Sequence, residues 1–394
     1  MKSSFPVPLL PPPVLGLAPT SCASCFVFLR CGGHSLEIIR EIGCANFAND
    51  EHPVNPNSMN PIDADSFWAK WDDVGGLLDF AIAGLNPVNS ADLPRYIPIL
   101  QHPYSRRELL KTEIVALHLW KIFRRDAKGR YVCRFRDGAE LRATYRLHPD
   151  TKILLSGVAI DRHLEIFWAQ HRKADLAAQL ARLGICGITT PNFSFFTDVT
   201  GFQILRNLKR ILLTAERLSA AGIKVSLHLN AITPQNWDFW CELLSLHPDS
   251  NVVTLEFQTG LATLEEGRKA LFQVADLQQK LGRLLHPILV GGAKHYMEAE
   301  KLFSRFSVVD SRPFMEAQAR NSLVRDPGGA FCWRKGGDGG RFIDRIFEAN
   351  LALYPEKLKV SPVDTPEQAL GSDQMDLFDV TPYFTAQPVA CRVS

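Results

Sequence analysis

From residue 151 onward the chain alternates short apolar runs with longer stretches of helical period. KILLSGVAI, ICGITT, IKVSLHLN, VVTLEFQ, PILV and SVV are the apolar runs. Between them, apolar residues recur every three to four positions. One such stretch runs through Phe167, Trp168 and Leu176 to Leu183, and a long one from about Phe202 to Ala221. Others cover Trp237–Leu244 and the region around Glu265–Leu281, and the last carries Met297, Leu302 and Phe303. Gly222 follows the long stretch where a left-handed C-cap belongs. Strands alternating this regularly with helices predict a parallel α/β fold. Their near-continuous apolar character favours a TIM-like (β/α) barrel, over residues 151–350, above a doubly wound sheet.

Upstream the period changes. A helix carrying Phe67, Trp68, Trp71, Leu77, Leu78 and Phe80 is expected, capped by Asp63 or Asp65, and YIPIL (96–100) reads as a short buried strand. EIVALHLWKIF, RYVCRF and ELRATYRL then alternate with period two and are separated by DAKG and RDG. That pattern predicts a small antiparallel β insertion, so 64–150 reads as a helix plus an antiparallel subdomain.

The ends of the chain differ from its middle. Residues 1–20 are proline-broken and read as a disordered arm without a signal-peptide helix. Residues 21–49 form a cysteine-rich module and 50–63 a linker dense in Asn, Pro and Asp. The tail, 355–394, is polar with one apolar island, MDLFDV, and is expected to be disordered.

Composition narrows the class. The 394 residues are 46% hydrophobic with a formal net charge of +2, so no global field advertises nucleic acid. Arg106–Arg107, Arg124–Arg125 and Arg206–Lys209–Arg210 are local clusters that a basic face would need, although solvated charge is the commoner use. No apolar run approaches the roughly 18 residues of a membrane span, and a cytoplasmic location is expected. No GxGxxG or GxxxxGK[ST] loop is present, which argues against a nucleotide cofactor.

Chemistry in a barrel collects at the C-terminal ends of the strands. In order, those ends offer Asp161 and His163, then Asn192, Ser194 and Asp198, then His228 and Asn230. Glu256, Gln258 and Gly260 follow, then Gly291 and Gly292, and finally Asp310 and Arg312. A ring of carboxylates and amides suits a planar, hydrogen-bonding heterocycle, with carboxylates as nucleophile and acid/base. The competing uses are ordinary: a strand-end Asp caps a helix, and a strand His fills a core.

The cysteines Cys22, Cys25, Cys31 and Cys44 stand in a C-x2-C-x5-C-x12-C pattern. Four thiolates on a short loop-rich segment suit tetrahedral zinc or an iron–sulfur cluster, with His34 as a substitute ligand. Cys133, Cys186 and Cys241 fall in apolar patterns and read as small core residues.

The order of these pieces resembles the tRNA-guanine transglycosylase superfamily over roughly residues 150–325. A Gly-rich turn (Gly291–Gly292), a helix, a strand ending in Asp310 and a later Arg320–Asn321 look like that family's closing segment. VVTLEFQTG lies where its base-recognition strand falls, LHLNAITPQNW where its glutamine-glycine turn falls, and Asn192 where it often has a base-reading Asp. The resemblance implies a barrel that exchanges a nucleobase for a deazaguanine, with Asp310 as covalent nucleophile. It points to Asn192, Glu256, Gln258, Gly260, Gly291 and Gly292, which with Asp198 and Asn230 of the strand-end ring make up the expected substrate-binding set. The family's Asp-Ser-Gly motif is absent, Ser156–Gly157 and Asp161 being the nearest residues, and Asp161 is the candidate second catalytic carboxylate. Its C-terminal zinc pattern is absent too, since Cys332 stands alone. The divergent branch that inserts deazaguanines into DNA is therefore the closer comparison. The implied partners are nucleic acid (DNA ahead of tRNA), a deazaguanine base and accessory proteins of a modification system. Two alternatives stay open: an iron–sulfur enzyme using the N-terminal cysteines, and a non-catalytic nucleic-acid-binding barrel.

Overall fold

The computed structural model describes residues 64–76, 78–171, 174–195, 201–258, 261, 263–336 and 342–360. The N-terminal cysteine module, the linker and the tail beyond residue 360 lie outside the described residues, as do Asp198 and Gly260.

Eight parallel strands stand side by side in chain order: β1 (Tyr96–Pro98), β2 (Ile114–His118), β5 (Lys152–Ser156), β6 (Gly187–Thr189), β7 (Val225–His228), β8 (Val252–Glu256), β9 (His286–Val290) and β10 (Ser307–Asp310). β10 pairs with β1, and the last gap is bridged beyond β1. There Ile99 stands opposite Ala116, and the Leu100 N–H donates to the Ala116 carbonyl at 3.0 Å. The sheet is thus a nearly closed barrel, and the α/β barrel expected from the alternation is present.

Its boundaries differ from the expected 151–350. The barrel starts at Tyr96, because YIPIL and IVALH supply its first two strands, and its last strand ends at Asp310. Of the expected antiparallel subdomain only the hairpin β3 (Phe123–Arg125) and β4 (Tyr131–Cys133) is antiparallel. ELRATYRL is not a strand: Gly138–Thr144 is helix α2, because Asp137 caps it by accepting from the Glu140 N–H at 2.9 Å. The RDG read as a hairpin turn is that cap.

Helix α1 (Ala64–Asp73) precedes the barrel. The helix expected through Leu183 is two, α3 (Asp161–His171) and α4 (Leu176–Ala181), the second capped by Asp175 with left-handed backbone. The next two, α5 (Gly201–Ala220) and α6 (Pro234–Leu246), are followed by α7 (Leu264–Leu281). Capping boxes start α6 (Thr233 with Asn236) and α7 (Thr263 with Glu266), and Gly282 in left-handed conformation ends α7. After α8 (Tyr296–Leu302) and β10 come α9 (Arg312–Gln318), the hairpin β11 (Asn321–Arg325) and β12 (Phe331–Lys335), and α10 (Asp344–Val360). Pro355, expected to open the tail, sits inside α10, which runs to Val360.

Two cores follow from strand alternation. Ile97, Ile99, Ile114, Ala116, Leu154, Val252, Ile288, Val290 and Val309 form one buried cluster, the barrel interior. Their neighbours of opposite phase, among them Val115, Leu117, Leu155, Leu227, Val253, Leu255 and Val308, belong to the larger cluster shared with the helices.

The cluster Arg206–Lys209–Arg210 is no basic face. All three are buried and ion-paired, with Asp73, Asp79 and Glu165 respectively. Arg210 is 1% exposed, meets Glu165 through two bonds of 2.9 and 2.8 Å, and lies 3.9 Å over the Phe193 ring. Arg106 is likewise buried against Asp344, while Arg107, Arg124 and Arg125 face solvent. No helix among the described residues is long and apolar enough to cross a membrane.

Candidate functional site

Strand phase decides what the barrel mouth contains. In step with the interior residues, the C-terminal ends present Gln101 just beyond β1, His118 on β2 and Ser156 on β5. Further round stand Thr189 on β6, His228 on β7 and Glu256 on β8. All six are buried polar residues. Burial pushes the His228 imidazole down to about 3, so it is neutral, and its Nδ1 has no partner among the described residues.

The wall of β8, β9 and β10 contains five of the expected residues, Glu256, Gln258, Gly291, Gly292 and Asp310. Glu256 is 7% exposed, and its Oε1 accepts from the Gln258 N–H. The Gln258 side chain lies over Gly291: a Cβ at Gly291 would stand 2.4 Å from Gln258 Cγ. Gly291 has φ +71°, and its N–H donates to the Val309 carbonyl at 2.8 Å. A Cβ at Gly292 would stand 2.6 Å from Leu289 Cβ, so both glycines answer a close approach. Glu256 is in register with Val290 on one side of β9, and Val309 with Val290 on the other. Two strand-end carboxylates, Glu256 and Asp310, therefore flank the Gly291–Gly292 turn.

Asp310 differs from Glu256 in phase. It is in step with Val308 of the outer core, is half-buried, and its carboxylate is held from outside the barrel. Oδ2 accepts from the Tyr354 hydroxyl of α10 at 2.5 Å, and Oδ1 from the Arg312 N–H at 3.0 Å. Its carbonyl accepts from the Ile99 N–H and from the Tyr96 hydroxyl. Burial, with the Asp310 charge second, pushes the Tyr354 hydroxyl well above its ordinary value, which keeps it a donor.

The remaining expected residues brace loops. Asp161 opens α3 and accepts from the Ser194 hydroxyl at 2.6 Å. Asn192 accepts from the Ala159 N–H at 3.0 Å, and Asn230 donates to the Phe193 carbonyl at 2.7 Å. These bonds tie the loops after β5, β6 and β7 together, on the side of the mouth away from Asp310. Cys22, Cys25, Cys31 and Cys44 lie outside the described residues, among which no group of three or more metal-ligating side chains occurs. Cys133, Cys186 and Cys241 are half-buried free thiols, and burial pushes Cys186 up to about 11.

Sequence reasoning missed Gln101, His118, Lys121 and Tyr354. His118 carried a signal, being a polar residue in phase with the apolar positions of IVALH at its C-terminal end. Tyr354 carried none, since it meets Asp310 only through the packing of α10. No protein-family model matches the chain, and no curated protein matches it.

Proposed function

We propose that this chain is a base-exchanging enzyme of the transglycosylase kind, acting on a nucleobase in nucleic acid, DNA ahead of tRNA. The observation that supports it is the pair of carboxylates, Glu256 and Asp310, on either side of a glycine turn at the barrel mouth. In this reading an Asp310 oxygen attacks the anomeric carbon of a flipped nucleotide. The C–N bond breaks, and the leaving base takes the electron pair and a proton from a carboxylic acid. Glu256, inward and buried, fills that acid role better than Asp161, which is engaged with Ser194 at a helix start. The incoming deazaguanine returns its proton to Glu256 and displaces Asp310 from the sugar, so atoms and charge balance. Arg312 N–H and Tyr354 hold the attacking carboxylate in one orientation. In the same reading Cys22, Cys25, Cys31 and Cys44 hold zinc or an iron–sulfur cluster in a structural role, which metal analysis and an absorption spectrum distinguish.

The test is nucleoside mass spectrometry on DNA and tRNA from cells with and without the wild-type protein, and with Asp310→Asn. A deazaguanine nucleoside present only with wild type supports the reading, as does a covalent protein–nucleic acid adduct that Asp310→Asn loses. An active Asp310→Asn enzyme would leave the Asp310–Tyr354 bond as a tether for α10 and end the nucleophile assignment.

A further inference from the structure

The wall formed by β1 and β2 carries three buried polar atoms with no partner among the described residues. Ile99 and Ala116 are opposite one another, so Gln101 and His118, each two residues further on, are neighbours of the same inward phase. Gln101 is 5% and His118 4% exposed. Gln101 Nε2 and both ring nitrogens of His118 lack hydrogen-bond partners among the described residues.

Both side chains are nevertheless held in place. The Lys121 ammonium donates to the Gln101 carbonyl and, at 3.4 Å, to Oε1. An ammonium has no acceptor, so it fixes the amide with its oxygen toward Lys121 and its NH2 turned away. The His118 ring lies against Trp120, with centroids 4.1 Å apart, and Trp120 stacks on His163 at 5.5 Å and 11°. Burial first, then the charges of Lys121 and His163, holds the His118 imidazole well below its ordinary value. It is therefore neutral, with one donor and one acceptor nitrogen. Unsatisfied buried polar groups destabilise a fold, and pinning them in fixed orientations suits a ligand rather than packing.

We propose that Gln101 and His118 form a binding site for the amide edge of a neutral planar heterocycle. The Gln101 NH2 donates to the ring carbonyl, and a His118 nitrogen accepts from the adjacent ring N–H. The site favours a neutral group because both partners are uncharged and buried, where an unpaired ionic ligand is strongly disfavoured. Its neighbour across β1 is Asp310, whose carbonyl accepts from the Ile99 N–H. In biological terms the proposal deepens the base-exchange reading and rests on it for the identity of the heterocycle as a nucleobase; binding itself needs no transfer chemistry.

The experiment uses the full-length protein with hypoxanthine, which has the amide edge, and 1-methylhypoxanthine, whose ring donor is blocked. Calorimetry or saturation-transfer NMR reads binding, and thermal melting reads stability. Wild type should bind hypoxanthine about tenfold or more tightly than the methylated base, and Gln101→Met and His118→Leu should each lose about tenfold or more. Because Gln101 Nε2 and the His118 ring nitrogens have no partners among the described residues, and Lys121 keeps its bond to the Gln101 main-chain carbonyl in Gln101→Met, both variants should melt at or above the wild-type temperature. Absence of hypoxanthine binding to wild type, equal binding of the two bases, or unchanged binding by the variants would each overturn the proposal. Melting of both variants well below wild type would overturn it too, by showing polar groups satisfied by internal water. Asp310→Asn separates the two readings. If it binds hypoxanthine normally while wild type performs no transfer, the base-exchange reading fails and this site stands.

Discussion

The Tyr354 hydroxyl lies 2.5 Å from Oδ2 of Asp310 and joins the last described helix to the last strand of the barrel. The bond is charge-assisted and partly shielded from water, so it exceeds an ordinary neutral one. Tyr354→Phe removes only the hydroxyl and retains the edge-on packing against Tyr96, whose ring centroid is 5.3 Å away. The expected cost is about 1–3 kcal/mol in urea denaturation. In the base-exchange reading, adduct formation also slows while affinity for free base is unchanged. A variant as stable as wild type would show that the bond contributes nothing to holding α10.

Gly291 faces two separate demands. Its φ of +71° strains any side chain, and a Cβ would press on Gln258 Cγ at 2.4 Å. Gly291→Ala is expected to cost about 1–3 kcal/mol. Combining it with Gln258→Ala should recover the steric part and leave the backbone part, about 1–2 kcal/mol. A double-mutant cycle by urea denaturation reads this directly, and strict additivity would mean that Gln258 moves aside freely.

Acid should weaken the fold through its buried histidines. Burial holds His118 well below its ordinary value, His228 at about 3, and His286 and His295 at about 4. In the unfolded chain each titrates near 6.5. As pH falls below about 6.5 the unfolded state therefore binds protons that the folded state refuses, and stability drops down to roughly pH 4 for His286 and His295 and roughly pH 3 for His228. Above about 6.5 both states are neutral, and this contribution is flat. The limiting slope is roughly 1.4 kcal/mol per pH unit for each histidine. Urea midpoints should be lower at about pH 5 than at about pH 7.5, and His228→Gln should reduce the difference. Equal midpoints for wild type would contradict the neutral, buried assignment.

The alternation of strands and helices from residue 151 was legible because period, caps and C-terminal glycines are local properties. Gly222 marked such an end in the sequence, and Thr233, Thr263 and Gly282, seen in the structure, are caps of the same local kind. For the same reason Gly291, Gly292 and Asp310 could be placed at strand ends. The reading failed at Asp137, where a cap and a hairpin turn share one composition, Arg-Asp-Gly, and only packing chooses between them.

Tertiary structure alone decided three things. Barrel closure recruited YIPIL and IVALH as the first two strands, because pairing at the last gap depends on the curvature of the whole sheet. That closure placed Gln101 beside His118, 17 positions apart in sequence, through a register that no hydrophobic period encodes. Strand phase then separated Glu256, which faces the interior, from Asp310, which α10 holds from outside through Tyr354. The sequence by itself determined that Glu256, Gly291, Gly292 and Asp310 stand at strand ends. Which of them face the mouth followed from sheet closure and helix packing, because those are set by contacts between segments far apart in the chain.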